Sequence, residues 1–565
     1  MAGWTMVSRL TGLARDAVLA AIFGLSFVAD AFFLGFLIPN LFRRLFGEGA
    51  LTAAFLPPYA RLRREHPRAA GAFATRTVFG VLIVGSALAV AASLAMSIPA
   101  VGERLDEKAG LALRLTRVMI LYAPLVCAAA LAAAVLQTAG RFVAPAVSPV
   151  ILNGAMIAAA LAWAGQSPED AARAIALGVV AAGLIQVGVH VTAARRELGP
   201  WNPPGVGDDD RAALRAAGRT TRRTMAPIVL GLAVFQINAL LDALLAFVFS
   251  PPMEPPTDAA LAATGEAPPG PTGPLGLPVE HPVRVGAVAA LQWAQRLYQF
   301  PLGVFGIAIA TAIFPALAKA VQKSGSTKNE SEGDASTGPL EPGPGFADTL
   351  RQGLRLTVFI GLPAAAGLIL VREPLVRTLY ERGAFTPEDT QRVAALLAAY
   401  AAAVWAYSLI HVATRAFYAL GEPKTPVKVA VVAVAANLVM NLVLIWPLGA
   451  AGLAVSTAIS AAFQAVVLNV LLQRRLRHSQ TSENSTAALL DASVRLGWLR
   501  TGMATLTMSV VVAAPLLAGV DPAALTAGGA ALLLAGQAVV GAAVYALVAR
   551  ALGCEELGWL LRRKA

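Results

Sequence analysis

Apolar residues run on for about 20 positions at a time along the whole chain, and each run breaks at charges, prolines or glycines. At 1.5 Å of rise per helical residue, one such run matches the roughly 30 Å hydrocarbon core of a bilayer. About fourteen can be read, from 3–23 and 28–58 at the start to 501–519 and 524–549 at the end. The expected class is an all-α polytopic membrane protein, and the runs leave little chain for a soluble catalytic domain. Composition strengthens this: 57% of residues are hydrophobic and only 14% are charged, against about 25% charged in an ordinary soluble domain.

Lys and Arg number 45 against 33 Asp and Glu, a net charge of +12. Their placement points to membrane topology rather than to nucleic acid. Basic residues crowd the connections after even-numbered spans, such as Arg61 to Arg68 and Arg211 to Arg223, and the tail Arg562-Arg563-Lys564. The positive-inside rule then puts both termini in the cytoplasm. The first apolar span carries Arg9, Arg15 and Asp16, so it is expected to stay as a helix rather than be removed as a signal peptide. Two cysteines, Cys127 and Cys554, provide no CxxC motif, and the histidines show no metal-ligand spacing. No GxxxxGK[ST] loop occurs, so nucleotide hydrolysis in this chain is excluded as a direct energy source. No bound cofactor is expected.

Two stretches interrupt the helices. Ser250 to Pro282 has ten prolines and no Lys or Arg, and 323–347 is rich in Gly, Ser, Thr, Glu and Pro. Such compositions bury too little apolar surface to order themselves, so 250–282 and 323–347 are expected to be disordered loops. An internal echo is more informative. Phe46-Gly47-Glu48-Gly49-Ala50-Leu51-Thr52-Ala53-Ala54-Phe55 and Phe305-Gly306-Ile307-Ala308-Ile309-Ala310-Thr311-Ala312-Ile313-Phe314 share Phe, Gly, Thr, Ala and Phe at matching offsets, followed by Pro57 and Pro315. The echo lies six helices apart, so the chain reads as two parallel six-helix lobes plus two C-terminal helices. Those are an N-lobe over 1–222, a C-lobe over 223–473, and helices thirteen and fourteen with the tail over 474–565. Repeated halves of this kind are the usual architecture of alternating-access transport.

A charge at the bilayer centre costs about 2.5 to 3.5 kcal/mol on insertion scales, so charges inside apolar runs face a partner or a wet cavity. Helix one presents Ser8, Arg9, Arg15 and Asp16; helix two carries Asp30, Asn40, Arg43, Arg44 and Glu48; helix eight adds Arg296. Counting rise from the two sides places Arg15, Arg43 and Arg296 at similar depth. Converging arginines with few acids call for an anion, and the planar guanidinium fork suits phosphate oxygens, so a diphosphate or other polyanionic headgroup is the natural ligand. The competing reading makes each arginine a partner for Asp16, Asp30 or Glu48, and for Arg44 the pair with Glu48 is preferred. A second polar group, Asp242 with Asn437, Asn441 and Thr457, offers one carboxylate plus amide and hydroxyl oxygens, a ligand set for Na⁺ or H⁺ coupling. Interhelical hydrogen bonding is its alternative. Tyr400, Trp405, Tyr407 and Trp446 are expected to form an interfacial aromatic belt.

Ser8-Arg9-Leu10-Thr11-Gly12-Leu13-Ala14-Arg15-Asp16, Asp30-Ala31-Phe32-Phe33 and Pro39-Asn40-Leu41-Phe42-Arg43-Arg44-Leu45-Phe46-Gly47-Glu48-Gly49-Ala50 closely resemble the MurJ, or MviN, family of lipid II flippases. Arg296-Leu297-Tyr298-Gln299-Phe300-Pro301 and Lys424-Thr425-Pro426-Val427-Lys428 continue the likeness, which spans essentially the whole chain. The resemblance implies the fold of the multidrug/oligosaccharidyl-lipid/polysaccharide exporter superfamily, with a groove for the lipid tail at helices thirteen and fourteen. It implies movement of undecaprenyl-diphosphate-linked disaccharide-pentapeptide to the outer leaflet of the bacterial inner membrane, among membrane lipids and other cell-wall synthesis proteins as partners. Family functional arginines fall on Arg9, Arg15, Arg43 and Arg296, with Asp16, Asp30 and Glu48 beside them. The rivals are a flippase for another polyprenyl-diphosphate glycan, a cation-coupled exporter on the same fold, and a membrane glycosyltransferase. The last would need paired acids on a loop, where only Asp208-Asp209-Asp210 occurs, a cluster read as a solvated helix start.

Overall fold

A computed structural model describes residues 2–45, 51–99, 105–201, 207–251, 281–323, 340–343, 345–478 and 489–561. Glu48 and residues 252–280 and 324–339 lie outside the described residues. The backbone is almost wholly helical, and it divides into two compact units, 1–289 with 379–389 and 290–378 with 390–565.

The first unit is built on α1 (Ala2–Phe23), α2 (Phe27–Phe42), α3 (Leu51–Glu65), α4 (Pro67–Ala95), α5 (Glu107–Met119), α6 (Tyr122–Thr138), α7 (Val143–Ala162), α8 (Pro168–Ala193) and α9 (Asp208–Val248). Their starts follow ordinary capping rules. Ser26, Asp106 and Ser167 each accept from a backbone N–H three residues on, at α2, α5 and α8. At one end of the unit, Phe55, Tyr59, Phe73, Leu131 and Leu136 pack with Leu214 and Ala217 of α9. His66 Nδ1 lies 2.6 Å from Asp210 Oδ1 and ties the start of α9 to the α3–α4 corner. The acidic triplet is thus a helix start, as its composition suggested. Because α9 packs on α3 and α4, it lies in the first compact unit, which runs to Ala289.

The second unit holds most of α10 (Ala287–Pro301), a π-helical turn at Leu302–Gly306, α11 (Ile307–Lys319), α12 (Phe346–Leu370), most of α13 (Arg372–Tyr380) and α14 (Pro387–Ala401), then α15 (Val404–Ala419), α16 (Lys424–Leu448), α17 (Ala450–His478), α18 (Ala492–Leu517), α19 (Ala527–Ala551) and α20 (Glu555–Leu561). Leu354, Val412, Phe417 and Leu468 centre its core, where α12, α15 and α17 meet. Arg355 of α12 clamps the C-terminal helix: its Nε donates to Glu556 Oε1 at 2.6 Å, its Nη2 lies 3.0 Å from Glu555 Oε2, and its guanidinium sits over the Trp559 ring. Gly497 packs against this clamp, and a Cβ there would lie 2.9 Å from Glu556 Oε1 and 3.0 Å from Arg355 Nε, so any larger residue would have to displace one of these side chains.

Order extends further into one inserted loop than its composition implied. Residues 321–323 and 340–342 form an antiparallel pair, with Val321 opposite Pro342 and Lys323 opposite Leu340. Gly343 N donates to Ala320 O, and Arg475 bridges from Glu422 to Leu340 O. Phe346, also within the expected loop, is fully buried. Packing against the α17 end supplies the order that the local composition lacks.

Among the described residues, ten helical segments are long and apolar enough to cross a membrane. The helices that do not qualify include α1, α2, α9 and the α10–α11 stretch, which are the ones bearing Arg9, Arg15, Asp16, Asp30, Arg43, Arg44, Asp242 and Arg296. Fourteen spans were expected; α1 carries Arg9, Arg15 and Asp16 within its 22 residues, α2 is 16 residues long, and Gln236–Val248 of α9 and Ala308–Lys319 of α11 are shorter apolar helices. In the register of the internal echo Arg43 matches Leu302, and both positions begin a π-helical turn. The repeat therefore extends from residue type to backbone.

Asp491 caps α18 by accepting from Val494 N at 2.9 Å, with Ser493 Oγ at 2.7 Å and Arg351 Nε at 3.3 Å. Burial raises its pKa, but the hydrogen bonds from Ser493 and Val494 and the Arg351 guanidinium outweigh that and hold the carboxyl below its ordinary value. A depressed carboxylate adds stability above its unfolded pKa, about 3.9, and loses it as pH falls through the folded value. Asp491→Ala should therefore cost about 1 kcal/mol at neutral pH. The difference in melting temperature from wild type should shrink when measured below pH 4.

Candidate functional site

The first unit assembles its polar centre where α1 packs on α7. Arg15 and Asp16 are buried, 7% and 2% exposed. The Arg15 side chain folds back on its neighbour: Nε donates to Asp16 Oδ1 at 2.9 Å and Nη2 to the same oxygen at 2.5 Å. Its Nη1 donates to Asn153 Oδ1 of α7 at 3.1 Å. Asn153 is itself oriented, because Nδ2 donates to Thr11 Oγ1 at 3.2 Å and to Ser8 O at 3.4 Å. The result holds one guanidinium in a fixed plane with its charge offset by one carboxylate. One N–H on each terminal nitrogen remains beyond these bonds.

Arg43 and Arg44 sit on the π-helical turn that ends α2 and are half-buried. Arg43 Nε donates to Asn40 Oδ1 at 2.9 Å, and Arg44 Nη1 to Gln236 Oε1 of α9 at 3.3 Å. Arg44 thus reaches α9, whereas its expected partner Glu48 lies outside the described residues. Arg9 is half-buried on α1. Asp30 is completely buried and accepts from Gly286 N at 2.9 Å and Ala289 N at 3.0 Å, so it caps the start of α10. Gly286 has φ +81° there, and a Cβ would fall 2.3 Å from Leu25 O.

In the second unit Arg296 is exposed on α10. The helix beneath it is pinned by aromatic stacking, with Tyr298 5.2 Å from Tyr400 and 5.7 Å from Tyr407, and Gln295 donates to Tyr400 OH at 3.0 Å. Tyr400 is completely buried, so it belongs to internal packing rather than to an interfacial belt, whereas Trp446 is 56% exposed.

The expected cation group divides between the units. Asp242 is buried on α9 of the first. Asn437, Asn441 and Thr457 are in the second, in a ladder between α16 and α17. Asn441 Nδ2 donates to Asn437 Oδ1 at 3.0 Å, Asn437 Nδ2 to Thr457 Oγ1 at 3.3 Å, and Ser456 Oγ to Asn441 Oδ1. Ser460 Oγ adds a bond to Ala433 O at 2.7 Å. The ladder is a hydrogen-bonded clamp between adjacent helices. No cluster of three or more His, Cys, Asp or Glu with metal-binding geometry occurs among the described residues.

Comparison with known proteins decides what this polar centre belongs to. Residues 19–518 match the family model described as lipid II flippase MurJ. The chain belongs to the lipid II flippase MurJ family. It is similar to the probable lipid II flippase MurJ of Vibrio cholerae, 31% identical over 504 residues, covering 84% of this chain and 81% of that protein. It is also 32% identical over 486 residues to that of Rhizobium meliloti, covering 82% and 78%. Among solved structures, the fold resembles lipid II flippase MurJ in an inward closed conformation, with a TM-score of 0.69, 20% identity, and 97% of this chain and 98% of that one covered. It also resembles an inward-facing multidrug transporter of the MATE family, TM-score 0.56 and 14% identity, covering 84% and 99%. The chain is therefore a multi-pass membrane transporter of this fold.

Sequence reasoning missed Asn153 and Gln236. The signal was present, since a polar amide in the apolar run 146–164 carries the same burial cost argument as an arginine, in smaller measure. Asn153→Leu should leave Arg15 Nη1 and Thr11 without their partner and cost about 1 to 3 kcal/mol in thermal unfolding of the purified protein. Asn153→Asp, which keeps an acceptor, should cost less. A wild-type melting temperature for Asn153→Leu would show that the guanidinium is held by Asp16 alone.

Proposed function

We propose that this chain moves lipid II, the undecaprenyl-diphosphate-linked peptidoglycan precursor, from the inner to the outer leaflet of the bacterial cytoplasmic membrane by alternating access. Family membership over residues 19–518 is the observation that carries this reading. The named relatives are themselves described as lipid II flippases, and the chemistry of the polar centre agrees with a diphosphate cargo. An arginine oriented by Asp16 and Asn153, with N–H groups to spare, meets a phosphate group with little side-chain entropy left to lose. Arg9, Arg43 and Arg296 are assigned the same role toward the cargo. Asp16 orients Arg15, Asp30 holds the start of α10, and Arg44 and Glu48 assist from the end of α2. Both termini face the cytoplasm in this reading, in line with the basic connections.

Arg15→Ala, Arg43→Ala and Arg296→Ala should each abolish growth of a flippase-depleted bacterium while the protein stays at normal membrane levels. Lysine at these positions should restore growth only in part, because an ammonium lacks the bidentate fork. Lipid II measured in each leaflet during depletion tests cargo and direction together. Normal growth of two of the three alanine variants, or an unchanged leaflet distribution, overturns the reading.

For the driving force we infer coupling to Na⁺ or H⁺ through Asp242, the one carboxylate of the second polar group. The Asn437–Asn441–Thr457 ladder serves as the helix clamp of the unit that must move intact. Asp242→Asn should then slow transport and remove any stabilisation of the purified protein by Na⁺ over K⁺. Equal stabilisation of wild type by both ions, with a normal transport rate in Asp242→Asn, moves the driving force elsewhere.

A further inference from the structure

Lys108 is 2% exposed, a burial that an ammonium tolerates only when its charge is satisfied. It sits in the first turn of α5 and reaches the C-terminal end of α9, where the last carbonyls of a helix have no intrahelical donor. Its Nζ lies 2.8 Å from Phe247 O, 3.1 Å from Ser250 O, 2.8 Å from Ser250 Oγ and 3.1 Å from Pro251 O. The Phe247 ring closes one side, its centroid 4.3 Å from Nζ. Ser250 Oγ donates in turn to Phe247 O at 3.1 Å, which leaves its lone pairs to the ammonium. Three carbonyls, a hydroxyl and an aromatic face, all at the negative end of a helix dipole, form a cage that selects a small cation.

The cage sits at a junction. It captures the chain where α9 ends and the segment at 252–280 departs, and Val283 N donates to Phe249 O where that segment returns. The same helix carries Asp242 and, through Gln236, the contact to Arg44.

We propose that Lys108 is a tethered cation occupying a built alkylammonium site, and that its charge, not its carbon stem, fixes the end of α9 in the position transport requires. Lys108 is a positioning residue, acting through the α9 carbonyls. Truncation to alanine removes three carbons and the ammonium, so n-propylammonium has the size and charge to take the vacated place, while n-propanol has the size without the charge.

The test is chemical rescue. Purified Lys108→Ala should melt below wild type and be stabilised saturably by millimolar n-propylammonium chloride, whereas n-propanol or NaCl at equal concentration should have no such effect, and wild type should not respond. Lys108→Met keeps the stem, and in a flippase-depleted strain it should support growth at least about tenfold less well than wild type, as expected for lost hydrogen bonds to a charged group. The thermal arm holds whatever the cargo, so its failure is distinct from failure of the lipid II reading on which the growth arm rests. Equal response to propanol and propylammonium, or Lys108→Met with wild-type melting and growth, overturns the proposal. If Lys108→Ala does not accumulate, Lys108→Met alone decides by those two measurements.

Discussion

A guanidinium that spends its life among apolar helices must always have something to hold. Arg15 meets that condition within the protein by doubling back on Asp16 and reaching Asn153, so its charge is offset and its plane is set before any cargo arrives. Breaking a buried pair of this kind costs about 3 to 5 kcal/mol, because the orphaned charge remains. The side chain is thereby fixed in one plane, and the groups around it inherit strict requirements. Asn153 must keep its amide turned, which Thr11 and Ser8 enforce. The packing of α1 on α7 is in this sense organised by one cation.

The same economy recurs away from the centre. Lys108 settles on the spent carbonyls of α9, Asp30 on the open N–H groups before and within the first turn of α10, and Arg355 on the two acids of α20. Each is a charged side chain completing a helix end or docking a helix, in a protein whose surroundings offer little water for the purpose. Uncharged amides and hydroxyls do the corresponding work between α16 and α17, where a formal charge would be costlier than the contact is worth.

Fold class was legible because bilayer thickness imposes a length on apolar runs that no soluble constraint imitates. The arginines were legible for the same reason: a charge in such a run is costly, so Arg9, Arg15, Arg43 and Arg296 stood out one by one. What remained hidden were pairings that depend on which helices become neighbours. Arg44 also bonds Gln236, an amide far along the chain that helical spacing could not name. Asp242 was grouped with Asn437, Asn441 and Thr457 because all are polar, and the packing of α9 on α3 and α4 put it in the other unit. Tyr400 had a membrane-belt composition, but stacking on Tyr298 drew it inside. Periodicity reports the face of a helix and its depth, while partners are decided by contacts between distant segments.

The short pairing of Val321–Lys323 with Leu340–Pro342 has an entropic consequence. The pairing holds the two ends of the excursion at fixed positions, Val321 opposite Pro342 and Lys323 opposite Leu340. Doubling the length of such an excursion adds only about 0.6 kcal/mol of closure entropy. A change in the length of chain between these strands therefore costs the bundle that holds them little free energy.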